Sequence, residues 1–274
     1  MSECINFEPQ TTEFSLRNAL CLARVAELSY KANHEVESTA RGQWGMDRVV
    51  CFDEPSFGTQ GFVMTNDAIV VAVFRGTEIN RPEDVSTDLQ FLSVRGPLGG
   101  RVHEGFYRAL DLAWPAVEQA IALCWSPPKS LWFTGHSLGA ALATLAVAKM
   151  RDRNQSVSGL YTFGQPRIGD RDFAKKFNDD FGKYTFRFVN NNDVVARIPP
   201  RELQYRHVGT LKYFTEDGRL LDKISLWKRF LDRVRGRMAD FLEWGTDGLK
   251  DHAMPNYVAL IEGAIRIRTG QGTN

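Results

Sequence analysis

Leu131-Trp132-Phe133-Thr134-Gly135-His136-Ser137-Leu138-Gly139-Ala140-Ala141-Leu142-Ala143-Thr144-Leu145 is the stretch on which the rest of the chain is organised. A short apolar and aromatic run ends at Gly135, and an Ala/Leu-rich helical stretch begins after Gly139. Strand, sharp turn and helix with Gly-x-Ser-x-Gly at the bend is the pattern of a nucleophile elbow. Such a turn holds its serine in a strained conformation. The residues two before and two after must then be small, because the strand and helix backbones converge there. The following helix aims its positive end at any oxyanion developing beside the serine. By composition alone the five-residue pattern is weak, and its context between strand and helix gives it weight.

The flanking segments place the elbow in a larger α/β pattern. At 274 residues with 43% hydrophobic content, the chain can bury a sizeable core as one domain, 1–274. Phe14 to Tyr30 has helical spacing, while Arg48 to Phe52 and Gly61 to Met64 read as strands. Ala68 to Phe74 is a buried strand that ends in Arg75-Gly76-Thr77, at a strand end of the kind where α/β sites collect. Glu104 to Trp125 is helical, with Pro115 expected to kink or divide it. Val157 to Phe163 and Tyr184 to Val189 are strands on either side of a charged helix, Asp170 to Phe181. Arg206 to Phe214 alternates like an edge strand, and Asp217-Gly218 predicts a hairpin turn after it. Strands alternating with helices predict a mostly parallel central sheet with helices on both faces.

Two segments stand apart. Glu78 to Gly100 reads as either a surface connection or a lid, with hinge chemistry at Gly96, Pro97, Gly99 and Gly100. Asp222 to Trp244 carries Ile224, Trp227, Leu231, Val234, Met238 and Phe241 at helical intervals. From Lys223 to Arg237 it holds six basic residues and one acid, Asp232. A basic amphipathic helix of this kind can lie on a lipid surface, such as a membrane or lipid droplet, or pack on the domain or on a second copy.

Charge and cysteine usage narrow the setting. A net charge of +1 gives no general pull toward nucleic acid or anionic membrane. The first fourteen residues show no basic start and no apolar stretch, so no signal peptide is visible. Cys4, Cys21, Cys51 and Cys124 are scattered without metal spacing. A cytoplasmic location with reduced thiols is expected, a secreted form staying open; oligomeric state is not legible.

A serine hydroxyl needs a base within hydrogen-bond reach, and the base needs an acid to fix its tautomer. The histidines are His34, His103, His136, His207 and His252. In an elbow fold the order is nucleophile, acid, base, which leaves His207 and His252. His207 lies in a strand-like stretch, which favours a structural role. His252 lies just ahead of a helix that Pro255 can start, where an imidazole can reach out of a loop. Asp193 follows a strand and precedes Arg197-Ile198-Pro199-Pro200, which ends regular structure, so a carboxylate is expected at a strand end. Asp251 competes, although adjacent residues seldom point at each other.

The chain resembles the class 3, fungal-type lipases of the α/β-hydrolase fold. The resemblance rests on Val73 to Thr77, Asp88 to Phe91, Val102 to Phe106, Gly135 to Leu145, Thr162 to Gly169, and Asn190 to Pro200. It implies a triad of Ser137, Asp193 and His252, with backbone N–H groups of Thr77 and Leu138 facing the oxyanion. It also implies that Asp88 orients the Thr77 hydroxyl, and that His103 and Gln165 support loops. The implied chemistry is hydrolysis of a carboxylic ester of an acylglycerol or related acyl lipid, without a metal or organic cofactor. Phospholipase A1, galactolipase and short-chain esterase activities are the neighbouring readings. An acyltransferase and a catalytically idle, lipase-like binding protein are the rivals from other classes. One departure is the polar character of Glu78 to Thr87, where Ile79 and Val85 are the only large apolar residues. That argues against strong interfacial activation.

Overall fold

The computed structural model describes residues 7–77, 92–153, 155–191, 193–221 and 245–270. The helical stripe expected at 222–244 lies outside these residues. So does most of the lid expected at 78–100, namely 78–91 with Asp88.

An eight-stranded sheet forms the centre. Its strands are β1 (Arg48–Glu54), β2 (Thr59–Thr65), β3 (Ile69–Phe74), β6 (Ser130–His136), β7 (Gly159–Phe163), β8 (Thr185–Asn190), β9 (Thr210–Phe214) and β10 (Leu220–Leu221). They lie side by side in that order. The run from β3 through β9 is parallel, while β1, β2 and β10 pair antiparallel at the two ends. β4 (Ser93–Arg95) and β5 (Arg101–His103) make a separate hairpin.

Alternation along each strand divides the core in two, because successive side chains leave a strand on opposite faces. Val70, Ala72 and Phe74 of β3, with Leu131 and Phe133 of β6, point to one face. There they meet α3 (Glu104–Cys124), α4 (Leu138–Asp152) and α5 (Arg171–Phe181). Ile69, Val71 and Val73, with Trp132, Tyr161, Phe163, Phe186 and Phe188, point to the other face. There they meet α1 (Leu16–Leu28), α2 (Asn33–Gly42) and α7 (Met254–Arg268). Each fully buried large side chain contributes roughly 1.5–3 kcal/mol. Sheets buried on both faces carry near-continuous apolar runs, which is why Ile69–Phe74 is buried at every position.

Several expectations are corrected. The charged stretch Asn33–Gly42 is a helix, α2, that periodicity did not signal, since only Val36 and Ala40 are buried in it. Pro115 does not divide α3, which runs unbroken through it. The helix buries Ala109, Leu110, Ala113, Trp114, Val117, Ala120 and Ile121, and that burial outweighs a proline penalty of about 3 kcal/mol. The glycines at 96–100 form the tight turn between β4 and β5 rather than a hinge. The Gly96 N–H donates to the Gly100 carbonyl at 3.0 Å. Gly99 and Gly100 hold φ of 79° and 73°, and a Cβ on Gly100 would stand 2.4 Å from the Phe173 nitrogen. β9 is not the edge either: the Asp217-Gly218 turn folds β10 onto it.

Candidate active site

The elbow forms where β6 ends and α4 begins. Ser137 sits between them with φ 57° and ψ −128°, a left-handed conformation that costs a non-glycine residue on the order of 1–3 kcal/mol. The surroundings hold it there. Its N–H donates to the Phe163 carbonyl of β7 at 3.0 Å. A Cβ on Gly135 would lie 2.4 Å from the Gly139 oxygen, and one on Gly139 would lie 2.1 Å from the Phe74 oxygen. Both small positions expected around the serine are therefore required by backbone approach. Leu138 is the first helical residue, so its N–H is one of the four that lack an intrahelical acceptor.

Asp193 lies three residues past β8 and is fully buried. Its Oδ1 accepts from the Val195 N–H at 2.9 Å, and its Oδ2 accepts from the Tyr257 hydroxyl at 2.5 Å. The imidazole of His252 meets the same carboxylate, Nδ1 lying 3.0 Å from Oδ1 and 2.9 Å from Oδ2. Burial pushes the Asp193 carboxyl upward. His252 and the Tyr257 hydroxyl outweigh that and hold it below the ordinary carboxylate value. Burial and the adjacent carboxylate hold the Tyr257 hydroxyl well above its usual range, so it stays a proton donor. With Nδ1 donating to Asp193, Nε2 of His252 is left with a lone pair, and among the described residues it meets no hydrogen-bond partner.

His252 is not in a loop: it closes a short helix, α6 (Gly245–His252), immediately ahead of α7. Pro255 does stand in the first turn of α7. The competitor Asp251 is placed differently, its carbonyl accepting from Asn190 Nδ2 at 2.8 Å, while Asp193 is the carboxylate on His252. His207 is half-buried and meets a different group, its Nε2 lying 2.9 Å from the Ala196 carbonyl. Arg75-Gly76-Thr77 follows β3 on the near side of the serine. A Cβ on Gly76 would fall 3.0 Å from the Ser137 Cβ, which puts the loop carrying the exposed Thr77 against the elbow.

His103 caps α3, its Nδ1 accepting from the Phe106 N–H at 3.4 Å, and it stacks on the Phe106 ring at 4.1 Å. Gln165 accepts from the Thr162 hydroxyl at 2.7 Å and the Thr144 hydroxyl at 3.3 Å, tying β7 to α4. Three participants escaped the sequence reading: Tyr257, His136 and Tyr30. His136 is buried beside His252, ring centroids 4.4 Å apart. Its Nδ1 lies 2.7 Å from the Tyr30 hydroxyl, and its Nε2 lies 2.7 Å from the His252 carbonyl. A buried histidine at a strand end must find such partners, and that is the signal that would have marked it. Among the described residues no three His, Cys, Asp or Glu side chains converge as metal ligands do. No described helix is long and apolar enough to cross a membrane.

Residues 71–203 match the class 3 lipase family. Triacylglycerol lipase OBL1 of Arabidopsis thaliana is 29% identical over 252 residues, covering 71% of this chain and 48% of that protein. A lipase of Rhizomucor miehei is 32% identical over 175 residues, covering 59% of this chain and 47% of its own length. The chain thus spans about half the length of these curated relatives. In three dimensions it is similar to the mono- and diacylglycerol lipase of Aspergillus oryzae. The TM-score is 0.65 at 22% identity, over 76% of this chain and 85% of the other.

Proposed function

The chain carries a class 3 lipase region in residues 71–203, within an α/β-hydrolase fold, and from that premise we propose that it hydrolyses carboxylic esters of acylglycerols. The observation that carries the proposal is the buried Asp193–His252 pair, with the free Nε2 of the imidazole, in a fold that presents Ser137 on a strained elbow. Ser137 Oγ attacks the ester carbonyl while His252 Nε2 accepts its proton. The same nitrogen returns that proton to the leaving alcohol, and Asp193 stabilises the imidazolium in between. The N–H groups of Thr77 and Leu138 meet the tetrahedral oxyanion; each such donor accounts for about 100-fold to 1000-fold in turnover. Water, deprotonated by His252, then clears the acyl-enzyme.

The relatives, a triacylglycerol lipase and a lipase, support an acyl-lipid substrate over an unrelated ester. The basic apolar stripe in the sequence of 222–244 supports contact with dispersed lipid. Phospholipase A1, galactolipase and short-chain esterase chemistry would run on the same residues and differ only in what fills the acyl and head-group sites.

Ser137→Ala decides the reaction class. It should lower ester turnover about 10⁶-fold and leave the melting temperature within a few degrees, because alanine fits the turn. A fluorophosphonate probe should label the native chain at Ser137 and fail on the variant. More than a few per cent residual activity in a pure sample would remove Ser137 from the mechanism. A panel of esters of rising chain length and varied head group, with added alcohol as competing acceptor, separates lipase, phospholipase and acyltransferase. An idle binding protein would turn over none of them.

A further inference from the structure

His252 ends α6, so its carbonyl is one of the four at a helix C-terminus that no helical N–H can reach. His136 reaches it, Nε2 to oxygen at 2.7 Å. A carbonyl can only accept, so Nε2 carries the hydrogen and Nδ1 carries the lone pair. That lone pair accepts from the Tyr30 hydroxyl at 2.7 Å. The chain of donors therefore has one direction, from Tyr30 through His136 to the backbone from which the His252 imidazole projects. Its other side is fixed independently, by Nδ1 on Asp193.

Tyr30 is also placed against the opposite wall of the site. Its hydroxyl would be 2.4 Å from a Cβ on Gly76, and the Arg75 guanidinium lies 5.6 Å from the centre of its ring. The residue follows α1, so one side chain bridges the loop after β3, the elbow and, through His136, the end of α6.

We infer that His136 and Tyr30 are positioning residues, holding the His252 backbone at a fixed reach from Ser137 through the relay Tyr30 O–H to His136 Nδ1 and His136 Nε2–H to the His252 carbonyl. Neither touches the reacting atoms. The relay works with His136 neutral, which also spares His252 a second positive charge when its own ring is protonated. Burial, and then the charge of His252, hold the His136 ring at about 3, far below the ordinary histidine value. The inference rests on the ester-hydrolase reading and deepens it.

The test uses the full chain and three variants, Tyr30→Phe, His136→Leu and His136→Gln. Each is followed by kcat and KM on a short soluble ester, by thermal melting, and by the strongly downfield proton resonance of His252 Nδ1. Tyr30→Phe, which keeps the ring over Arg75, should lower kcat about fivefold to tenfold at constant KM, the size of one net hydrogen bond. His136→Leu should lower kcat about 100-fold, and the downfield resonance should shift or broaden in both. His136→Gln can donate to the carbonyl and accept from Tyr30, and should recover most of the lost kcat. The inference is overturned if Tyr30→Phe and His136→Leu lower only the melting temperature, with kcat and the resonance unchanged. It is overturned equally if KM rises alone. Should His136→Leu not fold, Tyr30→Phe and His136→Gln still decide. If the native chain hydrolyses no ester, the reading beneath has failed; the resonance then decides the relay by itself, since it must still move in Tyr30→Phe.

Discussion

Two histidines follow Ser137 in the chain, and one short segment, 193–200, serves them both. Asp193 gives His252 a carboxylate at 2.9 Å, whereas Ala196 gives His207 a carbonyl at 2.9 Å. His252 is buried and His207 half-buried, and the charge around them is opposite. His207 is held far below its ordinary value first by burial and then by the Arg187 and Arg167 guanidinium groups. An imidazole facing two cations is disfavoured as a cation. Three residues along one segment separate the two settings, a carboxylate for His252 and a carbonyl for His207.

The largest expected effect breaks the comparison outright. His252→Ala should lower ester turnover on the order of 10⁶-fold, while His207→Ala should stay within about tenfold of native and mainly lower the melting temperature. Steady-state rates and melts on both variants give the ranking, and the reverse ranking would move the base to His207. Next in size is Asp193→Asn, expected to lower turnover about 10⁴-fold by removing the charge and offering His252 the wrong tautomer. If Asp251→Asn proved the more damaging of the two, the acid would be Asp251.

The smallest effect sharpens the comparison through stability. His103, His136 and His207 are all depressed by burial, His103 to about 4 and His136 to about 3. Between those values and the unfolded value of 6.5, the unfolded chain binds protons that the folded chain refuses. Stability is therefore fully present above about pH 6.5 and falls as the pH drops. The slope is up to about 1.4 kcal/mol per pH unit for each proton. Asp193 acts at lower pH in the same direction: its depressed value adds stability that is lost as it protonates. Denaturant melts between pH 7 and pH 5 should show a steep decline that His103→Gln flattens. An unchanged slope in that variant would remove His103 from the account.

Much of this was legible because it is local. The elbow, the apolar strand at 69–74 and the carboxylate just past a strand end are each written within a few consecutive residues. α2 was not, because Asn33–Gly42 buries only Val36 and Ala40 and so carries no stripe. The glycines at 96–100 carried hinge composition, and only the approach of Phe173 shows that they serve a turn. The relay through His136 was out of reach for a different reason. Tyr30 and His136 are 106 positions apart, and His136 and the His252 carbonyl 116. No spacing rule links such pairs, and only the stacking of α1 and α7 on one sheet face brings them together. The stripe at 222–244 was legible as a pattern and lies outside the described residues.

The position of α7 has a consequence for how the molecule is made. This helix brings Tyr257 to Asp193 and to the Asn190 N–H, and its Glu262 pairs with Arg24 of α1 at 2.9 Å. A ribosome delivers α1 first and α7 more than two hundred residues later. The sheet face between them therefore stays half-covered until α7 is made, with Phe163 still lacking the Tyr257 ring that meets it. Contacts of such long sequence separation form slowly. The elbow at Ser137 is translated more than a hundred residues before His252, so Asp193 stands without its imidazole partner until that residue has been made.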